Sequence, residues 1–161
     1  MEDSYKGKVE DFLNQKNIAV AGYSLHDRNT GNYIYEKLKK NGYRVFAVNP
    51  KATTENTQCF PDIKSIPEPI DAVMIAAPPS AAVNIVQQCI DHNIKRIWMH
   101  RSIDNGSYSP EAEQLANTHG ISVINIGCPM MFVKPDLFHQ CFRWVMKVKG
   151  KFKDEEKMAR A

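Results

Sequence analysis

Ile18-Ala-Val-Ala21, stopped at once by Gly22, is an unbroken apolar run with no polar residue alternating through it. A strand with one wet face alternates; a continuous run marks a strand covered on both faces, as in a parallel sheet. The same signature recurs down the chain. Val45-Phe-Ala-Val48 is halted by Asn49-Pro50, and Ala72-Val-Met-Ile-Ala-Ala77 by Pro78-Pro79. Arg96-Ile-Trp-Met99 is a fourth strand, and Ile121 to Ile126, ending at Gly127-Cys128-Pro129, is the fifth.

Helical periods fill the intervals. Lys8 to Gln15 sets Val9, Phe12 and Leu13 on one face. A polar loop from Tyr23 to Thr30 leads to a helix with Ile34, Tyr35 and Leu38 inward, stopped by Asn41-Gly42. Ser80 is expected to cap a helix whose inner face is Val83, Val86 and Ile90. Ser109-Pro110-Glu111 supplies a cap, a first-turn proline and an acid at the positive end of the dipole; that helix ends at Gly120. A last helix is expected from Asp136 to Lys147, with Phe138, Cys141, Phe142 and Val145 facing in. Strand and helix alternate, so the expectation is a Rossmann-like α/β fold: a five-stranded parallel sheet with helices on both faces.

Composition sets the outer bounds. The chain has 161 residues, 43% hydrophobic and 24% charged, which suits one globular domain with a sizeable core. Residues 1–150 read as that domain, with an N-terminal and a C-terminal helix; 151–161 read as a charged tail, expected to be disordered. No apolar run approaches a membrane span, and the charged start MEDSYKGKVED holds no signal core. Cys59, Cys89, Cys128 and Cys141 lack CxxC spacing and are expected to be reduced thiols in a cytoplasmic protein. The net charge of +3 hides an asymmetry, because residues 134–161 carry eight Lys/Arg against four Asp/Glu. Few aromatics interleave with those cations, so a solvated helix end is expected there and not a nucleic-acid surface.

Parallel sheets bind ligands beyond the carboxyl ends of their strands, where strand order reverses. Gly22-Tyr23-Ser24, Asn49-Pro50-Lys51, Ala77-Pro78-Pro79-Ser80, His100-Arg101-Ser102 and Gly127-Cys128-Pro129 occupy those ends. Gly22 lets backbone approach a phosphate, the helix beyond Thr30 aims its free N–H groups the same way, and Arg28 can add charge. GxGxxG is absent. A typical NAD site has a carboxylate after the second strand; Asn49-Pro50-Lys51 has none, and its lysine suits a ribose phosphate such as coenzyme A and NADP carry.

The sequence resembles small stand-alone CoA-binding-domain proteins, similar in fold to the nucleotide-binding domain of the succinyl-CoA synthetase α subunit. The resemblance rests on Gly31-Asn32 with Ile34-Tyr35, Gly42-Tyr43 through Asn49-Pro50, Trp98-Met-His-Arg-Ser102, Gly106-Ser107, Gly127-Cys-Pro-Met-Met-Phe132, and Pro135-Asp136 with His139, Cys141 and Arg143-Trp144. It implies binding of coenzyme A through Gly22, Tyr23 and Ser24, the Asn49-Pro50-Lys51 turn, and Ala77, Pro78 and Pro79. Leu25-His26-Asp27 departs from the family pattern, as does the absence of a glycine in Thr53 to Gln58.

The expected function is therefore binding of CoA or an acyl-CoA without a complete catalytic apparatus. Two alternatives use other residues. One is an NADP-type oxidoreductase fragment. The other is a small thiol or acyl-transfer enzyme with Cys128 as nucleophile beside His100, since a thiol near a cation ionises more readily; Arg101 and His100 can equally hold phosphate. No metal site is expected, because His139 and Cys141 lie two apart on a helix and point apart. The apolar breadth of that helix (Leu137, Phe138, Phe142, Trp144, Val145, Met146, Val148) hints at a homodimer face.

Overall fold

The continuous apolar runs become strands, all parallel, and the intervening periods become helices. The computed structural model describes residues 4–53, 59–101 and 105–150, and leaves the side chains of Phe138 and Phe142 undescribed. In chain order the elements are α1 (Tyr5–Leu13), β1 (Asn17–Ala21), α2 (Thr30–Lys40), β2 (Arg44–Val48), β3 (Cys59–Phe60) and β4 (Ala72–Ile75). They continue with α3 (Pro79–Asp91), β5 (Arg96–Met99), α4 (Pro110–Thr118), β6 (Ser122–Ile124), a 3-10 turn at Pro129–Met131, and α5 (Leu137–Val148).

The sheet order is β3-β2-β1-β4-β5-β6, so the chain winds outward from β1 in one direction and from β4 in the other. Register places Ala21 beside both Val48 and Ile75. The loops that follow β1, β2 and β4 therefore leave the sheet at one level, on either side of the reversal point.

Successive side chains of each strand enter opposite cores. Ala19, Ala21, Val73, Ile75, Ile97 and Met99 meet Ala82, Ile85, Val86 and Cys89 of α3 and Ala112 and Ala116 of α4. Ile18, Val20, Met74 and Trp98 meet Val9 and Phe12 of α1, Ile34 and Leu38 of α2, and Met146 of α5. Both faces are covered, which is why the strands needed no polar alternation.

Several boundaries differ from the sequence expectation. The sheet has six strands, not five: Cys59–Phe60 adds an edge by pairing with Ala47 and Val48, and two residues are too few to show a run. Helix α3 begins at Pro79 with Pro78 at its cap position, two residues earlier than the expected Ser80 cap. Its buried stripe is Ala82, Ile85, Val86 and Cys89, with Val83 and Ile90 only half-buried. In α5, Cys141 is exposed and Val145 half-buried, while Met146 takes the inward position. The expectations for Phe138 and Phe142, for Ser102 and for the tail at 151–161 fall outside the described residues. No helix among the described residues is long and apolar enough to cross a membrane.

Helix α1 is held by aromatic contacts from both its ends, Tyr5 to Phe132 and Phe12 to Trp98. Ser4 Oγ accepts the Gly7 N–H at 3.1 Å and starts the helix. Phe12, 1% exposed, then sets its ring edge-on to Trp98 at 5.4 Å and 89°. Phe12→Ala removes that ring and leaves a void against the sheet. The expected cost is about 3–5 kcal/mol, read from urea unfolding, with α1 amides losing hydrogen-exchange protection first.

Candidate functional site

Three backbone segments meet at the reversal point. Gly22 leaves β1 with φ +105°, its N–H donating to Val48 O at 3.1 Å. A Cβ there would stand 2.5 Å from the Ala76 carbonyl carbon and the Ala77 nitrogen, so the loop after β1 runs directly against the loop after β4. Gly31, in the first turn of α2, has the same constraint from the other side: its Cβ would stand 2.5 Å from Gly22 O.

Three asparagines hold this junction. Asn29 caps α2, its side chain accepting the Asn32 N–H at 3.1 Å while its Nδ2 donates to Gly22 O at 2.9 Å. Asn32 is buried and uses both ends of its amide on Ser24, accepting from the N–H at 2.9 Å and donating to the carbonyl at 3.0 Å. Asn49 Nδ2 donates to Tyr23 O at 2.7 Å, and its Oδ1 accepts the Lys51 N–H at 2.8 Å. That last bond is an Asx turn, which fixes Lys51 at the end of β2.

The loops enclose a cleft of about 450 Å³. Gly22, Tyr23, Ser24, Asn49, Pro50, Lys51, Ala77 and Pro78, all expected from sequence, line it. No carboxylate does, among the described residues, whereas Lys51 and His26 are exposed there. Helix α3 opens onto it with Pro78 at the cap position, no side-chain cap and no acid in its first turn. The first turn of α2 is also free of acids. The cleft is therefore positive in character from helix dipoles as much as from side chains.

The other expected residues lie elsewhere. Pro79 is the first residue of α3 and does not reach the cleft. Arg28 is paired with Glu36 and lies 4.9 Å over the Tyr33 ring, so its charge is already satisfied away from the cleft. His100 and Arg101 follow β5, beyond the neighbouring strand. His100 O accepts the Ser107 N–H at 2.7 Å, and the Arg101 guanidinium stacks over Tyr108 at 4.6 Å. Cys128 is 3% exposed in the core on the α1 side of the sheet, and burial pushes its thiol up to about 12. A thiolate is the nucleophilic form, so this position disfavours the ionisation that acyl transfer needs. His139 Nδ1 lies 2.7 Å from Asp136 Oδ1 at the start of α5, and Cys141 points to solvent from the same helix.

Sequence reading missed one wall. Asn84 and Gln88 of α3 line the cleft together with Ala81 and Ile85. Gln88 Nε2 donates to Asn84 Oδ1 at 2.8 Å, and Gln88 Oε1 accepts the Ile63 N–H at 3.0 Å, tying the segment after β3 to α3. The signal was present: 81, 84, 85 and 88 form one helical stripe, interrupted by two amides where a core face would be apolar.

Comparison with known proteins adds an independent line. Residues 16–134 match the family described as the CoA binding domain. ADP-forming acetate–CoA ligase II of Archaeoglobus fulgidus is 29% identical over 124 residues, covering 71% of this chain and 18% of the ligase. Ligase I of the same organism is 24% identical over 150 residues, covering 89% of this chain and 22% of the ligase. The chain thus spans about a fifth of the length of the curated relatives it matches. Among solved structures, a hypothetical protein from Pyrococcus horikoshii OT3 superposes with a TM-score of 0.69 at 26% identity, over 80% of this chain and 90% of that one.

Gly31→Ala tests the junction cleanly. In an open helix the change is worth about 1 kcal/mol in favour of alanine. Here the new Cβ must displace Gly22 O, so a net loss of about 2 kcal/mol or more is expected in denaturant unfolding. A neutral or stabilising result would mean that the two loops are not in contact.

Proposed function

The chain belongs to the CoA-binding domain family, and on that premise we propose that it binds coenzyme A or an acyl-CoA through the cleft beyond β1, β2 and β4, without a complete catalytic apparatus of its own. The observation that carries this reading is a cleft without carboxylates among the described residues, onto which an uncapped helix N-terminus opens. A ligand with a pyrophosphate and a ribose phosphate supplies the charges that such a cleft lacks.

The residues present fit that ligand. The first turn of α3 and the Gly22-Tyr23-Ser24 backbone hold the pyrophosphate. Lys51, fixed by the Asn49 Asx turn, faces the ribose phosphate. Pro61, Ala81 and Ile85 give the base an apolar wall, and Asn84 a polar edge beside it. The volume of about 450 Å³ lies within the range of about 300–1,000 Å³ usual for small-molecule sites, and takes the nucleotide end with the pantetheine arm directed outward. When bound, coenzyme A supplies a thiol or thioester; the chain's own part is to hold and orient it.

An NADP-type reading shares the Lys51 argument and is separated by ligand choice. A Cys128 enzyme requires a thiol that burial keeps protonated. The setting we propose is cytoplasmic, supported by four cysteines that are all free.

Lys51→Ala is expected to weaken CoA binding about 10-fold in isothermal titration, while dephospho-CoA changes less than about 2-fold. Equal losses on both ligands would remove Lys51 from the ribose phosphate, and tighter binding of NADP than CoA would overturn the choice of ligand. Incubation with acetyl-CoA at pH 7.5 is expected to leave Cys128 unmodified by mass spectrometry; an acetyl adduct there would revive the transfer reaction.

A further inference from the structure

One chain of hydrogen bonds on α3 has its direction fixed from one end. A backbone N–H can only donate, so the 3.0 Å bond from the Ile63 N–H sets Gln88 Oε1 toward the segment after β3. Gln88 Nε2 then faces the other way and donates to Asn84 Oδ1 at 2.8 Å. Turning the Asn84 amide over would set one NH2 group against another. An isolated asparagine presents either end of its amide; this one is committed. Asn84 is exposed in the cleft wall, and its Nδ2 makes no hydrogen bond to another described residue. It therefore offers the cleft its amide hydrogens and the second lone pair of Oδ1.

We propose, resting on the cleft as the seat of coenzyme A's nucleotide end, that Gln88 holds Asn84 to read the base, so that the cleft selects a 6-aminopurine over a 6-oxopurine. Asn84 shares one stripe of α3 with Ala81 and Ile85, the apolar wall against which the base lies. Adenine carries its 6-amino donor beside a ring-nitrogen acceptor on both its N1 and its N7 side. The committed amide complements either edge: Nδ2 donates to the ring nitrogen, and Oδ1 accepts from the amino group. A 6-oxopurine sets its carbonyl oxygen against Oδ1 instead, and its N1 carries a hydrogen that meets Nδ2. A free asparagine would turn over or swing aside and tolerate that base. Gln88 removes this latitude, which makes it a positioning residue and Asn84 the one that determines specificity.

Isothermal titration of the full chain with adenosine 3′,5′-bisphosphate and inosine 3′,5′-bisphosphate reads the ratio of their dissociation constants, in which effects common to both ligands cancel. The wild type is expected to favour the adenosine ligand about 10-fold or more. Gln88→Glu keeps one oxygen for the Ile63 N–H and sets the other against Asn84, which must turn over to donate to it. The added charge weakens both ligands, and the ratio is expected to invert in favour of inosine. Gln88→Ala releases Asn84 and is expected to lower the ratio about 3-fold or more, and Asn84→Ala, at an exposed helical position, to bring it within about 2-fold of unity. Should Gln88→Glu fail to fold, the two alanine variants decide. Equal binding of both ligands by the wild type overturns the proposal while leaving the cleft a nucleotide site. So does a ratio that Gln88→Glu and Gln88→Ala leave unmoved. Binding of neither ligand overturns the cleft as a coenzyme A site, and base selection with it.

Discussion

The carboxyl end of this sheet depends on one close backbone approach. Gly22 passes so near Ala76 and Ala77 on one side, and Gly31 so near Gly22 on the other, that no side chain fits at either glycine. Remove that approach and the loops after β1 and β4 part, the first turn of α2 lifts away, and the cleft loses its floor. A dinucleotide fingerprint meets the same demands with glycines packed into six residues. Here two glycines nine residues apart meet them, and the longer loop between is disciplined by side-chain amides. Asn29, Asn32 and Asn49 together satisfy backbone groups of Gly22, Tyr23, Ser24 and Lys51. A polar loop over an apolar sheet costs free energy unless such groups are paired, and these are.

The same economy shapes the electrostatics. Asparagine, in place of aspartate, caps α2 and turns the chain after β2, so both structural roles are filled without placing negative charge at the cleft. Helix α3 goes further and has proline where a capping side chain would sit. Arg28, by contrast, spends its charge on Glu36. Among the described residues, what remains facing the cleft is Lys51, His26 and the positive ends of two helices. Cleft and scaffold are therefore built from one set of residues, and a substitution that disturbs the loop packing disturbs the cleft with it.

Most of the fold was legible because burial on both faces of a parallel sheet writes itself as unbroken apolar runs: β5 was readable residue for residue, and Ser109-Pro110 marked the start of α4. The edge strand at Cys59–Phe60 was not, since two residues carry no pattern. The lining of the cleft was legible where a turn residue follows a strand, as at Gly22, Asn49 and Pro78. It failed where chemistry was read from residue type alone. Arg28 looked like a phosphate ligand until Glu36, eight residues on, claimed it. Cys128 looked reactive at a strand end, yet the chain turns it into the core beside Trp98. Asn84 and Gln88 were passed over because the inward face of α3 was read from Val83, Val86 and Ile90, which leaves both amides off it.

Titration of coenzyme A into isotope-labelled protein, followed amide by amide, tests the central claim most directly. The account predicts saturable shifts concentrated at Gly22 to Ser24, Lys51, Ala77 and the first turn of α3, with α1 and α4 unmoved. Saturable shifts that bypass these residues, or none at millimolar coenzyme A, would contradict it.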